Sequence, residues 1–198
     1  MTSKTEAFYN KFSFFYPLVD IFLKAQKKVL FEELNMLPEG IVLEVGVGNG
    51  AHLGKYKKHK VIGIDTSVSM LKNARKQALA NLELIQMDGM ALLFDNEQFD
   101  YVVLSHVIAV VDDSEKLMEE VLRVLKPGGK VYILNHFTPN NWLRYLDKSF
   151  SVVSKVFHFK SIFYLNKITA FRKLTLLKEV SLGAVSYFKL LVYQKAEK

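Results

Sequence analysis

The chain has 198 residues, half of them hydrophobic, with 27 Lys and Arg against 20 Asp and Glu and no cysteine. That length suffices for one sizeable core but is short for two, and the missing cysteines exclude disulfides, a thiol nucleophile and the usual zinc sites. The longest uncharged runs, Tyr101–Val111 and Val131–Leu143, fall short of the ~18 residues needed to cross a bilayer, so no transmembrane helix is expected.

Taken in chain order, hydrophobic periodicity alternates between helix and strand. The segment Phe8–Leu37 is helical in period. Its apolar patch Phe12–Val19 sits between Lys11 and Asp20 and lacks a small-residue cleavage site. It is therefore a poor secretory signal, and the cytoplasm is the expected compartment. A strand at 41–46, a short helix at 50–58, a strand at 61–65 and a helix at 68–80 follow. Strands at 82–87 and 99–105, a helix at 114–125 and a strand at 130–136 complete the alternation. These strands are continuous apolar runs, as in a parallel sheet buried on both faces. The tail, Leu174–Ser181 and Tyr187–Gln194 around Gly183, reads as an antiparallel hairpin. No internal repeat or low-complexity linker is present.

The stretch Ile41-Val42-Leu43-Glu44-Val45-Gly46-Val47-Gly48-Asn49-Gly50 carries the strongest chemical signal. A buried strand runs into a turn with glycines at alternate positions, which tolerate positive φ and let backbone approach a ligand closely. The helix expected next would present free N–H groups. The following apolar run, Lys60-Val61-Ile62-Gly63-Ile64-Asp65, ends in an acid, and an acid there can accept both ribose hydroxyls of an adenosine.

Glycine spacing separates two classes of adenosine ligand. The dinucleotide fingerprint G-x-G-x-x-G seats a pyrophosphate on a helix N-terminus. Here the pattern is E-x-G-x-G-x-G, from Glu44 through Gly46 and Gly48 to Gly50. It resembles motif I of the class I S-adenosylmethionine-dependent methyltransferases, whose ligand has no phosphate. Thr66-Ser67-Val68-Ser69-Met70-Leu71 looks like that family's second motif, and Leu82 to Gly89 like its third strand. Phe99 to His106 looks like its fourth strand, and Leu122-Arg123-Val124-Leu125-Lys126-Pro127-Gly128-Gly129 like the turn before its fifth. The resemblance spans residues 38–137. It implies a Rossmann-like three-layer α/β sandwich with a seven-stranded, mostly parallel sheet closed by the antiparallel C-terminal hairpin. It also implies S-adenosyl-L-methionine as cofactor, held by Glu44, Gly46, Gly48, Gly50, Asp65, Thr66, Met87, Asp88, Gly89 and Ser105. Asp88 would take the adenine amine. Glu44 would cap the loop by accepting backbone N–H groups, bond the amino-acid end of the cofactor, or both.

A narrower resemblance rests on Ser105-His106-Val107-Ile108-Ala109-Val110-Val111-Asp112-Asp113, Leu117-Met118-Glu119-Glu120 and Asn135-His136-Phe137. These look like the bacterial phospholipid N-methyltransferases that convert phosphatidylethanolamine towards phosphatidylcholine. Quinone and small-metabolite methyltransferases share most of these markers, so a soluble quinone or metabolite enzyme stands as the alternative, beside a cofactor-binding protein without transferase activity. The expected organisation is a single domain with N-terminal lid helices at 1–37, a cofactor core at 38–137, a basic aromatic insert at 138–170 and a C-terminal hairpin at 171–198.

Charge supports a surface role for the insert. Residues 138–198 hold 11 Lys and Arg against 3 Asp and Glu, whereas the rest of the chain is near balance. Between Asn140 and Phe157, Trp142, Leu146, Phe150, Val153 and Phe157 recur at helical spacing, with Arg144, Lys148 and Lys155 on another side. Such a helix either packs on the sheet or lies on an anionic membrane surface, which would place the enzyme on the inner face of a membrane. Nothing resembles a groove-reading nucleic-acid module. Oligomeric state is open.

Methyl transfer from a sulfonium needs positioning and water exclusion more than acid catalysis. Tyr16 and His106 are the candidate catalytic residues, to line the acceptor pocket or relay a proton, with Tyr9 and His136 behind them. Each has a structural alternative: Tyr9 and Tyr16 as core residues of a lid helix, His106 and His136 as backbone-bonding groups. His52, His59 and His158 show no ligand spacing and receive no role. Asp100 reads as a structural turn acid, and Asp112-Asp113 as a helix N-cap cluster.

Overall fold

The computed structural model describes residues 16–77, 79–136, 168–182 and 188–197, with side chains from Gln26 onward and His136 described by its backbone only. Helix α1 (Tyr16–Met36) leads into β1 (Ile41–Val45) and β2 (Lys60–Asp65). Helix α2 (Val68–Ala74), β3 (Leu82–Gln86) and β4 (Phe99–Ser105) follow. Helix α3 (Ser114–Val124) runs directly into β5 (Leu125–His136), and β6 (Leu174–Leu182) and β7 (Phe188–Lys195) complete the chain.

The seven strands form one sheet in the order β3-β2-β1-β4-β5-β7-β6. The first five are parallel, and β7 runs antiparallel to both β5 and β6. Strand order reverses between β1 and β4, and the crevice at the carboxyl ends of these strands is where ligands bind in such sheets. Leu30, Phe31 and Leu34 of α1 cover one face together with Leu71 and Ala74 of α2. Leu117, Met118 and Val121 of α3 cover the other, with Ile168 and Ala170 beside them. The anticipated three-layer sandwich is thus the observed one.

The strands fall within a few residues of their expected bounds, and the helices show the larger differences. The helix expected at 50–58 is instead a turn and one 3-10 segment, Leu53–Lys55. Of the buried residues there, Leu53, Tyr56 and His59 recur every third position beside His52, a spacing that suits a tighter, irregular path rather than 3.6 residues per turn. The helix expected at 68–80 ends at Ala74 and tightens into a 3-10 turn at Arg75–Gln77, because its apolar face stops there and all three of those residues are exposed. Strand β5 starts five residues early. Pro127 bars a continuing helix and biases Lys126 towards extended backbone, so Leu125 pairs with Phe99 across a register shift.

Two polar clamps hold the strand ends. Asp100 accepts from the Ile41 N–H at 2.8 Å and from Lys126 Nζ at 2.7 Å, tying β1, β4 and β5 together. Arg123 donates to Phe94 O at 2.7 Å and Leu92 O at 2.8 Å while pairing with Glu120, whose Oε2 accepts from the Leu92 N–H at 2.8 Å. This second clamp fixes the long connection from β3 to β4. Arg123→Ala is expected to destabilise the fold by about 1–3 kcal/mol through the carbonyls left unpaired, and to speed amide exchange across residues 92–98. A melting scan and hydrogen exchange read both effects.

Candidate active site

At the carboxyl ends of β1, β2 and β4 lies a cleft lined by Gly46, Gly48, Asp65, Thr66, Met87, Asp88, Gly89, Ser105 and His106. Nine of the twelve residues singled out in the sequence therefore converge on one site. Val45, Met70, Met90, Val107, Val110, Val111 and Asp112 complete its walls. All but Met90 lie within strings singled out in the sequence without being assigned to the site, and most sit just past a strand's carboxyl end, which is the signal that could have assigned them.

The glycine turn has the conformation its spacing implies. Gly46 has φ +74° and Gly48 φ +57°, backbone positions that L side chains rarely adopt. The Gly46 N–H donates to Ile64 O at 2.7 Å, and a Cβ on Gly46 would stand 2.2 Å from Val107 Cγ2. The Gly48 N–H donates to Asp65 Oδ2 at 2.8 Å, and the Ser67 N–H to Asp65 Oδ1 at 2.9 Å. Asp65 therefore joins the end of β2 to the turn after β1 and still presents carboxylate oxygens to the cleft. Gly50 lies outside the cleft. A Cβ there would meet Ala74 Cβ at 2.6 Å, so this glycine serves the packing of the turn on α2.

Glu44 also departs from expectation. It is fully buried on the α1 side of the sheet and does not line the cleft. Its carboxylate accepts from side chains instead of backbone: His52 Nε2 lies 2.6 Å from Oε1, and Tyr56 Oη donates to Oε2 at 2.8 Å. Lys27 Nζ, which can only donate, approaches His52 Nδ1 at 3.3 Å, so Nε2 carries the proton shared with Glu44. Burial opposes ionisation of Glu44, but charge attraction to His52, the hydrogen bonds from His52 and Tyr56 and the nearby Lys27 charge outweigh it and hold the carboxyl below its ordinary range. The same burial, with the Glu44 charge beside it, drives the Tyr56 phenol well up. Glu44, His52, Tyr56 and Lys27 thus form a buried prop beneath the glycine turn. His52, given no role from its spacing, is part of it.

The third wall comes from β4 and the loop behind it. His106 has φ +60°, and its N–H donates to Leu134 O at 2.7 Å. Its ring stands edge-on to Phe188 at 5.8 Å. Ser105 is buried, and its Oγ has no hydrogen-bond partner among the described residues. The expected acid pair divides: Asp113 caps α3 by accepting from the Lys116 N–H at 3.0 Å, whereas Asp112 lines the cleft. The Tyr16 backbone opens α1, and its side chain, Tyr9 and the 140–157 stripe lie outside the described residues.

Asp65, Asp88 and Asp112 face the cleft, and no Lys or Arg is among the described residues lining it. A pyrophosphate would find no cation there. S-adenosylmethionine fits: its sulfonium and ammonium charges meet carboxylates, its ribose can use Asp65, and its apolar parts meet Met70, Met87, Met90 and the valines. Val107 packs against the turn only because Gly46 has no side chain.

Glu44→Gln tests the prop. A folded-state carboxyl held low contributes stability that is fully present above its unfolded value near 4.5 and lost as pH falls through the lower folded value. At pH 7 the variant is expected to lose about 3–5 kcal/mol, as for one partner removed from a buried pair. The gap between variant and parent should close as denaturant midpoints are taken from pH 5 to pH 3. A constant gap would mean that Glu44 is not ionised in the fold.

Comparison with known proteins agrees with this geometry. Residues 43–133 match the family model of a methyltransferase domain. The chain is 34% identical over 163 residues to a phosphatidylethanolamine N-methyltransferase of Cereibacter sphaeroides, covering 79% of this chain and 80% of that protein. It is 36% identical over 103 residues to a demethylmenaquinone methyltransferase of Listeria welshimeri, covering 49% and 44%. In fold it is similar to the Haloferax volcanii protein solved with the methyltransferase activator Trm112, with a TM-score of 0.78 at 18% identity and full coverage of both chains. The motifs, the seven-stranded sheet and these matches together establish that the chain belongs to the class I S-adenosylmethionine-dependent methyltransferases.

Proposed function

We propose that this methyltransferase acts on the amine of an ethanolamine phospholipid at a membrane surface. The observation that carries this reading is the extent of the two relationships. Similarity to the phosphatidylethanolamine enzyme extends over 79% of the chain, while similarity to the demethylmenaquinone enzyme covers 49%, about the length of a cofactor core that any acceptor class can share. The demethylmenaquinone match supports a quinone acceptor as the second reading.

The cofactor supplies an electrophilic methyl group on a sulfonium. Within the proposal, Asp65 accepts the ribose hydroxyls, Asp88 and Met87 border the adenine, and the backbone of Gly46 and Gly48 borders the amino-acid end. Ser105 Oγ offers a buried hydroxyl to the same ligand. His106, backed by Phe188, walls the acceptor side. An ethanolamine amine has a free pKa near that of lysine, about 10, so a dry wall built from Val107, Val110 and Val111 favours the neutral, nucleophilic form. Aromatic faces can then hold the methylated ammonium. No helix among the described residues is long and apolar enough to cross a membrane. The basic excess of residues 138–198 would draw the enzyme to anionic lipid, at about 1 kcal/mol per Lys or Arg near the surface. Among the described residues, Lys178 pairs with Glu33 and Lys189 with Glu179. Arg144, Lys148 and Lys155, which add to that excess in the sequence, lie outside the described residues.

Two experiments test this reading. Asp65→Ala should weaken S-adenosylmethionine binding by about 1.5–3 kcal/mol, the worth of a hydrogen bond to a charged group, and calorimetry showing unchanged affinity would remove Asp65 from the site. Purified enzyme with methyl-labelled cofactor should label phosphatidylethanolamine in anionic vesicles and leave demethylmenaquinol unlabelled. The reverse pattern would establish the quinone reading.

A further inference from the structure

Asn135 is 1% exposed, and its Nδ2 has no hydrogen-bond partner among the described residues. A buried donor left unmade is costly, and an apolar side chain of the same shape would avoid the cost. Its position explains what it could serve. Along β5, Tyr132 and Leu134 belong to the core beneath α1, while Val131 and Ile133 belong to the core beneath α3. Strand alternation puts Asn135 with the second set, on the face that carries the cleft residues Val45 and Val107. Ser105 pairs with Leu134, whose carbonyl accepts from His106. Asn135, one residue further, is therefore level with His106 on the neighbouring strand, at the end of the sheet where the cleft opens. On its other side Asn135 pairs with Lys189 of β7, and directly opposed residues share a face. The Lys189 ammonium has three donors, of which Glu179 takes one at 2.6 Å.

We propose that Asn135, with Lys189 beside it, is the subsite that receives an anionic oxygen of the methyl acceptor. Given the preceding reading, on which this rests, that oxygen belongs to the phosphate of the ethanolamine headgroup. Phosphate and amine are two carbons apart, so holding the first beside the cleft sets the reach of the second towards the sulfonium methyl. The subsite is separate from the cofactor's contacts and acts by orienting the acceptor. Asn135 is a positioning residue in this scheme. It selects acceptors with an anionic oxygen close to the nucleophile.

Asn135→Leu and Asn135→Asp in the full chain test the assignment. The Leu variant should melt no lower than the parent, because it removes an unpaired donor, and should bind S-adenosylmethionine within twofold of the parent. Its KM for phosphatidylethanolamine in vesicles should rise by about tenfold or more, as expected for the loss of one hydrogen bond to a charged group. The Asp variant keeps the shape but turns donor into repelling acceptor, and should lose more. A lower melting temperature for Asn135→Leu would mean that the amide is bonded within the fold, and overturns the proposal. So does parental turnover of phosphatidylethanolamine with an unchanged KM in the variants, which leaves the lipid reading intact. A parent enzyme that methylates demethylmenaquinol and not the phospholipid overturns the lipid reading and the phosphate assignment together.

Discussion

The site depends on the turn after β1, where backbone takes the space that side chains would otherwise fill. Gly46 is confined between Ile64 O, which accepts its N–H at 2.7 Å, and Val107, whose methyl leaves no room for a Cβ. That confinement brings β1, β2 and the loop after β4 to one point. Asp65 completes the junction from β2 by taking the Gly48 N–H, so the acid proposed to meet a ribose also shapes the glycine turn. The turn is held from below by a charged group. Glu44, sealed under α1, gathers His52, Tyr56 and Lys27, and these side chains come from the helix and loop that cover the turn. Buried ionic clusters of this kind add little net stability, yet removing one partner is costly because it strands the other charge.

Charge in the cleft then determines the ligand class. An adenosine site built around pyrophosphate needs donors and positive potential at a helix N-terminus. Here no α-helix follows the turn, only the 3-10 segment Leu53–Lys55, and the walls carry three carboxylates without Lys or Arg among the described lining residues. A sulfonium is stabilised in such surroundings and a phosphate is not.

Much of this was legible in the sequence because the deciding residues are constrained locally. Continuous β-branched runs located the strands, and residue type and spacing alone brought Gly46, Gly48 and Asp65 forward, which the fold gathers at one cleft. What was not legible depends on tertiary contacts. Glu44 sits in the motif, but whether it faces the cleft or α1 follows from strand register and from His52 and Tyr56, which only the fold brings near. Asp112 and Asp113 are adjacent acids with different tasks, separated by the direction in which the chain enters α3. Lys126-Pro127-Gly128-Gly129 looks like a turn, yet the ladder from Phe99 to Leu125 carries β5 through it. Asn135 belongs to a string legible in the sequence, whereas the burial of its Nδ2 with no partner among the described residues belongs to the folded chain.

The most direct test of this account is a calorimetric titration of the purified chain with S-adenosylmethionine and, separately, with nicotinamide adenine dinucleotide. The account predicts saturable binding of the sulfonium ligand, weakened as salt screens the cleft carboxylates, and no measurable binding of the dinucleotide. Tighter binding of the dinucleotide would contradict it, because a cleft lined by Asp65, Asp88 and Asp112, with no Lys or Arg among the described lining residues, should reject a pyrophosphate.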